Sequence, residues 1–275
     1  MTVVDCNGGR HDGWFSTCDL EGYSAFRFLR ERVFLQGMST SPPRLIVFSG
    51  AGLSAESGLA TFRGASGLWE GVSIRTVCDI TTWEDNFDAM HDFYDARRES
   101  GAKAEPNLAH RTIAGWEKTW PGRVVILTQN IDRLLETAGC TGVVKLHGDI
   151  RLLRCFDCGH QWELDGPRYN RNGCPACAST RVKPGVVFFG EAAPRYDDLH
   201  HVVAGLRAAD TVVIVGTSGT VLPADHLFGN SRAHSILVNL EPGREMNEGL
   251  FSERHYGPAT QELPKLTPLL RERMR

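Results

Sequence analysis

The chain has 275 residues, enough for one large or two unequal domains with a sizeable core. Its 30 basic and 33 acidic residues leave a net charge of -3, which argues against a protein built to coat nucleic acid or an anionic membrane. No apolar run approaches the roughly 20 residues that a membrane helix needs, so neither a nucleic-acid nor a membrane partner is expected.

Residues 1–40 differ from the rest. Asp5, Asp12, Asp19 and Glu21 break any secretory or transit pattern, and 26–35 reads as a short basic amphipathic helix. The segment is expected to be a weakly ordered extension without an assigned role; Met38, just ahead of Ser39-Thr40-Ser41-Pro42-Pro43, resembles a natural start. Leu45-Ile46-Val47-Phe48 then predicts a buried strand. Directly after it, Gly50-x-Gly52-x-x-Ala55 has the spacing of a dinucleotide fingerprint, where small residues let backbone N–H groups approach a pyrophosphate. A bare G-x-G is more often a plain tight turn. Here Ser54, Ser57, Thr61 and the Phe62-Arg63 pair add hydroxyls, an aromatic and a cation that such a turn does not need.

Apolar runs at 124–127, 143–146, 186–189, 212–215 and 236–238 predict further buried parallel strands, with helical patterns over 83–100, 106–120 and 195–208. This alternation predicts the α/β class and a doubly wound parallel sheet, in which ligands bind beyond the carboxyl ends of the strands. The chemically informative residues stand at those ends: Gly50-Ala51-Gly52, Thr128-Gln129-Asn130-Ile131-Asp132, His147-Gly148, Gly190-Glu191, Gly216-Thr217-Ser218 and Asn239-Leu240-Glu241.

Of 8 cysteines, Cys155 and Cys158 form one C-x-x-C pair and Cys174 and Cys177 another, fifteen residues further on. One such pair could be a redox dithiol; two, split by a polar loop, match a closed tetrahedral zinc site. With no open position the metal is expected to be structural, one ion per chain, folding a small module over 151–181 inserted between 41–150 and 182–275 of the main domain. Asp157, Glu163 and Asp165 offset the basic residues of the module, against a nucleic-acid role. Cys6, Cys18, Cys78 and Cys140 show no pairing pattern, so a reducing, cytoplasmic compartment is expected.

The stretch from Gly50 to Gly64 resembles the signature of the sirtuins, NAD-dependent protein deacylases, close to G-A-G-x-S-x-x-S-G-I-P-x-F-R-G. Leu59 and Ala60 replace the usual isoleucine and proline, and Thr61 stands where many members carry aspartate. The likeness runs from about Arg44 to Pro264. It includes Thr128 to Asp132, Leu146-His147-Gly148, the four cysteines, Pro184 to Glu191, Gly216-Thr217-Ser218 and Asn239-Leu240-Glu241-Pro242. It implies a Rossmann-like sheet with an inserted zinc ribbon, NAD as co-substrate, and acylated-lysine proteins or peptides as partners. It places the catalytic base on His147, and an imidazole with a pKa of about 6.5 suits the removal of a proton from a ribose hydroxyl.

The mechanism implied by the resemblance starts with attack of the acyl-lysine carbonyl oxygen on the nicotinamide ribose carbon. His147 then activates the ribose hydroxyl that attacks the resulting alkylamidate, and water releases lysine and O-acyl-ADP-ribose. By the same resemblance Asn130 and Asp132 line the nicotinamide–ribose pocket, and Gln129 helps hold the ribose. Gly50, Ala51, Gly52 and Ser218 cradle phosphates, Phe62 and Arg63 lie on a mobile cofactor loop, and Asn239 and Glu241 meet the adenosine ribose. Ser54, Ile131, Gly216, Thr217 and Ala259 complete the cofactor set. Val187 and Phe188 offer an open strand edge to the substrate peptide.

Phe93-Tyr94-Asp95-Ala96-Arg97-Arg98 resembles the Tyr-x-x-Arg pair of sirtuins that remove succinyl and malonyl groups. A spacing of three puts Tyr94 and Arg97 on one helix face, and an arginine fork can hold the distal carboxylate. The blander reading is a helix arginine paired with Asp92, Asp95 or Glu99. Three positions depart from the family pattern: Arg133 for a small residue, Gly219 for a large apolar one, and Cys78 for an alanine in the acyl pocket. Two other functions share these features, an ADP-ribosyltransferase or NAD hydrolase, and a non-catalytic zinc-ribbon protein that senses NAD. Oligomeric state stays open, with a monomer compatible.

Overall fold

The computed structural model describes residues 3–4, 10–11, 41–61, 68–69 and 71–275. The chain divides into two compact units, Met1–Thr40 and Ser41–Arg275. In the first, Val3–Val4 pairs antiparallel with Arg10–His11. The helix expected over 26–35, and the order of the extension, lie outside the described residues.

The second unit holds nine strands that matter here: β1 (Leu45–Ser49), β2 (Val124–Thr128), β3 (Val143–Lys145), β4 (Gly148–Cys155), β5 (Gln161–Glu163), β6 (Val182–Val186), β7 (Thr211–Val215), β8 (His234–Asn239) and β9 (Glu253–Tyr256). Its longer helices are α1 (Phe87–Gly101), α2 (Leu108–Thr119), α3 (Tyr196–Ala204) and α4 (Ala259–Arg273). Six strands form one parallel sheet in the order β9-β8-β7-β1-β2-β3. Ser49 lies opposite both Thr128 and Val215, so the carboxyl ends of the three central strands finish level. No helix among the described residues is long and apolar enough to cross a membrane.

Alternation along the central strands sends side chains to two cores. Leu45, Val47, Ile126, Val213 and Val215 join Ile113 and Trp116 of α2 and Leu263, Leu266 and Leu270 of α4. Ile46, Phe48, Leu127, Val212 and Ile214 face the other way, onto Leu199 of α3 and Phe228. With both faces covered, every position of such a strand gains from being apolar, about 1.5–3 kcal/mol per fully buried side chain. The apolar runs in the sequence have this origin.

Two expectations are corrected. The run 186–189 is not a strand of the parallel sheet. β6 pairs antiparallel with β4, and β4 with β5, in a separate three-stranded sheet, and only Phe189 makes a lone parallel bridge, to Asp79. Pro184 supplies no N–H, and the register shifts between Pro184 and Val186, where a Cβ on Gly185 would stand 2.6 Å from Leu152 Cβ; Val186 still pairs with Gly148, and the ladder ends there. The sixth strand of the main sheet is instead β9, a polar edge strand. The helices also start later than their patterns, at Phe87, Leu108 and Tyr196.

Candidate active site

The two glycine turns meet at the carboxyl ends of β1 and β7. Gly50 N donates to Val215 O at 2.9 Å, and Gly52 N to Gly216 O at 2.8 Å. A Cβ on Gly50 would stand 2.7 Å from Gly216 O, one on Gly52 2.7 Å from Gly216 Cα, and one on Gly216 2.4 Å from Leu53 N. Gly216 also has a φ of 64°, a backbone that side chains disfavour. Any side chain at these positions would force the two turns apart. Small residues here leave a backbone-lined cradle beyond the sheet, which fits a pyrophosphate of NAD.

Three residues converge on Ser54. Its Oγ donates to Asp132 Oδ2 at 3.0 Å and accepts from Asn130 Nδ2 at 3.2 Å. The third partner is His110 Nε2 at 3.3 Å. His110 is placed by the capping box of α2: Asn107 accepts from the N–H groups of Ala109 and His110, while His110 Nδ1 accepts from Asn107 N. Since Nδ1 accepts, Nε2 carries the proton and donates to Ser54. Burial holds the pKa of His110 down to about 4, so the ring is neutral. Gln129 Nε2 donates to Thr217 Oγ1 at 3.1 Å, and Asn239 Nδ2 to Thr217 O at 3.0 Å, so the ends of β2, β7 and β8 are tied together.

His147 follows β3. Its Nδ1 donates to the Gln129 carbonyl at 3.0 Å, which leaves the lone pair on Nε2. The Tyr196 hydroxyl meets Nε2 at 2.9 Å. Burial pushes the pKa of His147 down to about 4, against the Gln129 carbonyl, which raises it; at neutral pH the ring is an uncharged acceptor. His147 O also accepts from Val187 N at 3.0 Å, which joins this histidine to the segment with the expected peptide edge.

Beneath that edge lies a buried ion pair. Lys183 Nζ is 3.0 Å from Glu191 Oε2, donates to Val186 O at 2.6 Å and lies 4.1 Å from the Phe188 ring centroid. Glu191 accepts from Phe188 N at 3.0 Å and pairs with Arg154 at 2.8 Å. Tyr94 of α1 is fully buried, stacked on Phe188 with centroids 6.1 Å apart. Cys78 lies between Tyr94 and Val187 O, its thiol pushed up to about 11 by burial. Arg97 holds its guanidinium 5.5 Å from the Phe93 ring centroid. The acids weighed as its partners pair with other arginines: Asp95 with Arg98 and Arg171, Asp92 with Arg171, and Glu99 with Arg168.

The four module cysteines form one cluster, their Sγ atoms all within 4.8 Å of one another. Cys155 and Cys177 are 3.6 Å apart and Cys158 and Cys174 3.7 Å, far beyond a disulfide bond. Zn–S bonds of about 2.3 Å give a tetrahedron with edges of about 3.8 Å, so the donor set fits zinc. The pairs are built alike. Gly159 N returns to Cys155 O, Ala178 N to Cys174 O, and both Gly159 and Ala178 have positive φ.

Among the remaining expected residues, Ser218 is exposed and bonds Thr220, Glu241 is exposed just past β8, and Ala259 is buried at the start of α4. Ala51 lies in the first glycine turn, and Ile131 between Asn130 and Asp132 beyond β2. Phe62 and Arg63 lie outside the described residues. Two departures have physical accounts. Gly219 has a φ of 78° and lies under Met246, which fills the space a side chain would take. Arg133 bridges Asp149 at 2.8 Å and Glu163 of β5 at 2.7 Å, bracing the Asn130–Asp132 turn against the zinc module. His110, Lys183 and Tyr196 were not singled out from sequence; each is one residue in a helix or strand whose partners are distant in the chain.

A profile of the Sir2 family matches residues 50–223. An NAD-dependent protein deacylase of Helicobacter hepaticus is 37% identical over 244 residues, 82% of this chain and 96% of that protein. A crystal structure of a Sir2 homologue–NAD complex superposes with a TM-score of 0.74 at 29% identity, covering 85% of this chain and 91% of the other. A mutant Sir2 homologue in complex with 2′-O-acetyl ADP-ribose gives 0.73 at 29% identity, over 85% and 94% of the two chains.

Proposed function

The chain belongs to the Sir2 family, and from that premise we propose that it removes acyl groups from protein lysines with NAD as co-substrate, yielding nicotinamide, O-acyl-ADP-ribose and free lysine. The observation that carries this reading is the setting of His147. Its Nδ1 proton is committed to Gln129, which leaves Nε2 as the acceptor that meets the Tyr196 hydroxyl. NAD, when bound, supplies a ribose carbon with a nicotinamide leaving group and the ADP-ribose that accepts the acyl group.

The chain's own residues orient and move a proton. The cradle of Gly50, Ala51, Gly52 and Gly216, with Thr217 and Ser218, would take the phosphates. Asn130 and Asp132, held by Ser54, would line the nicotinamide–ribose pocket with Gln129 and Ile131, and Asn239 and Glu241 would meet the adenosine ribose. Phe62, Arg63 and Ala259 complete the proposed cofactor set. His147 Nε2 would take the proton of a ribose hydroxyl, and its low pKa keeps it unprotonated at neutral pH. Val187 and Phe188 would meet the peptide through their carbonyl groups, since their N–H groups are given to His147 O and the Glu191 carboxylate, and such main-chain bonds tolerate many sequences. This edge favours a peptide deacylase over an NAD hydrolase. Cys155, Cys158, Cys174 and Cys177 would hold one structural zinc ion.

Tyr94 and Arg97 would receive the acyl group, giving desuccinylase and demalonylase activity beside deacetylation. A cytoplasmic location fits the free thiols among the described residues.

His147→Ala tests the reading. Turnover of an acetyl-lysine peptide is expected to fall by about 10²- to 10⁴-fold while NAD binding stays measurable. Equal single-turnover rates in both proteins would make His147 a bystander.

A further inference from the structure

Tyr196 opens α3, and its ring stands 5.9 Å from that of His147, the planes inclined at 55°. The hydroxyl is 2.9 Å from Nε2. A neutral imidazole has one in-plane lone pair. Because Nδ1–H is given to the Gln129 carbonyl, that lone pair is on Nε2, and the Tyr196 O–H donates into it. A ribose hydroxyl that hands its proton to His147 needs the same lone pair. Both donors cannot occupy it.

We propose that Tyr196 is a positioning residue that stands in for the ribose hydroxyl in the free enzyme, holding His147 in its acceptor tautomer and leaving Nε2 when the cofactor ribose arrives. The inference rests on the reading of His147 as the ribose-facing base. Burial supports it from both sides. It raises the pKa of the Tyr196 phenol, which therefore remains a donor, and lowers that of His147, which therefore remains an acceptor. A buried nitrogen without a donor is costly, so a free enzyme gains from a temporary one. The exchange replaces one neutral O–H donor by another, so it is close to balanced in energy.

The test uses full-length enzyme at pH 7.5, with Tyr196→Phe, and Tyr196→Met as a second variant that also lacks the hydroxyl. The ¹⁵N resonance of His147 Nε2 reports whether a donor is in place. In the free enzyme, the variants are expected to shift toward the unbonded value. With saturating ADP-ribose, wild type and variants are expected to coincide, because the ribose fills the lone pair in each. ADP-ribose is expected to bind the variants about 2- to 10-fold more tightly, the worth of one neutral hydrogen bond that need not be given up. A difference that persists with ADP-ribose bound, no difference in the free proteins, or weaker ADP-ribose binding by the variants would overturn the proposal. In the variants, an Nε2 resonance that does not move when ADP-ribose binds would instead overturn the reading of His147 beneath it.

Discussion

Arg97 is the residue on which the proposed acyl preference turns. It shares one face of α1 with Tyr94, which stacks on Phe188 and meets Cys78 behind the proposed peptide edge. Charge-assisted hydrogen bonds contribute about 1.5–3 kcal/mol each, so a carboxylate held by Arg97 and Tyr94 supports a preference of about 10- to 100-fold. Arg97→Met is expected to raise KM for a succinyl-lysine peptide by that factor and to leave the acetyl-lysine peptide nearly unchanged. Equal losses on both substrates would return Arg97 to a structural role. At this scale, motif residues were legible in the sequence because their spacing is local. His110 was not: its bonds to Ser54 and Asn107 depend on where α2 begins relative to the first glycine turn. Lys183 was hidden for a similar reason, since a lysine in an apolar strand reads as exposed until Glu191 is seen to fold back beneath it.

The zinc module is joined to the site at both of its ends. β4 begins at Gly148, next to His147, and β6 ends at Val186, next to Val187. Arg133 adds a third tie through Glu163. Cys155→Ala or Cys174→Ala is expected to release zinc, unfold the module and lower activity although no reacting group is touched. Structural zinc contributes roughly 10–16 kcal/mol of binding energy that is also folding energy, and a lost thiolate sacrifices part of it. Purified protein without zinc, or full metal content and activity in both variants, would contradict this. The C-x-x-C pairs made this element legible, and the doubly buried strands made the sheet legible. β9 was not, because an edge strand needs no apolar run: Glu253-Arg254-His255-Tyr256 alternates half-buried and exposed. The run at 186–189 misled for the opposite reason. Its apolar residues serve the core around Tyr94 and Ile150, not the main sheet.

Two fully buried histidines couple the whole fold to pH. His91, bonded to Val182 O and packed between Phe87 and Tyr169, and His110 are both held near a pKa of about 4 by burial. Unfolded, each takes up a proton as pH falls below about 6.5; folded, neither does so until near 4. The unfolded state therefore binds more protons across this window, and stability falls as pH falls. From pH 7.5 to 5 the loss is expected to be about 2 kcal/mol per histidine, read from denaturant midpoints. A midpoint that does not move over that range would contradict it.

The central claim is that the strand ends, His147 and the peptide edge form one deacylating site. Mass spectrometry of the products from acyl-lysine peptide and NAD tests it most directly. The expected result is deacylated peptide, nicotinamide and O-acyl-ADP-ribose in equal amounts. ADP-ribosylated protein, or free ADP-ribose with the peptide unchanged, would contradict it.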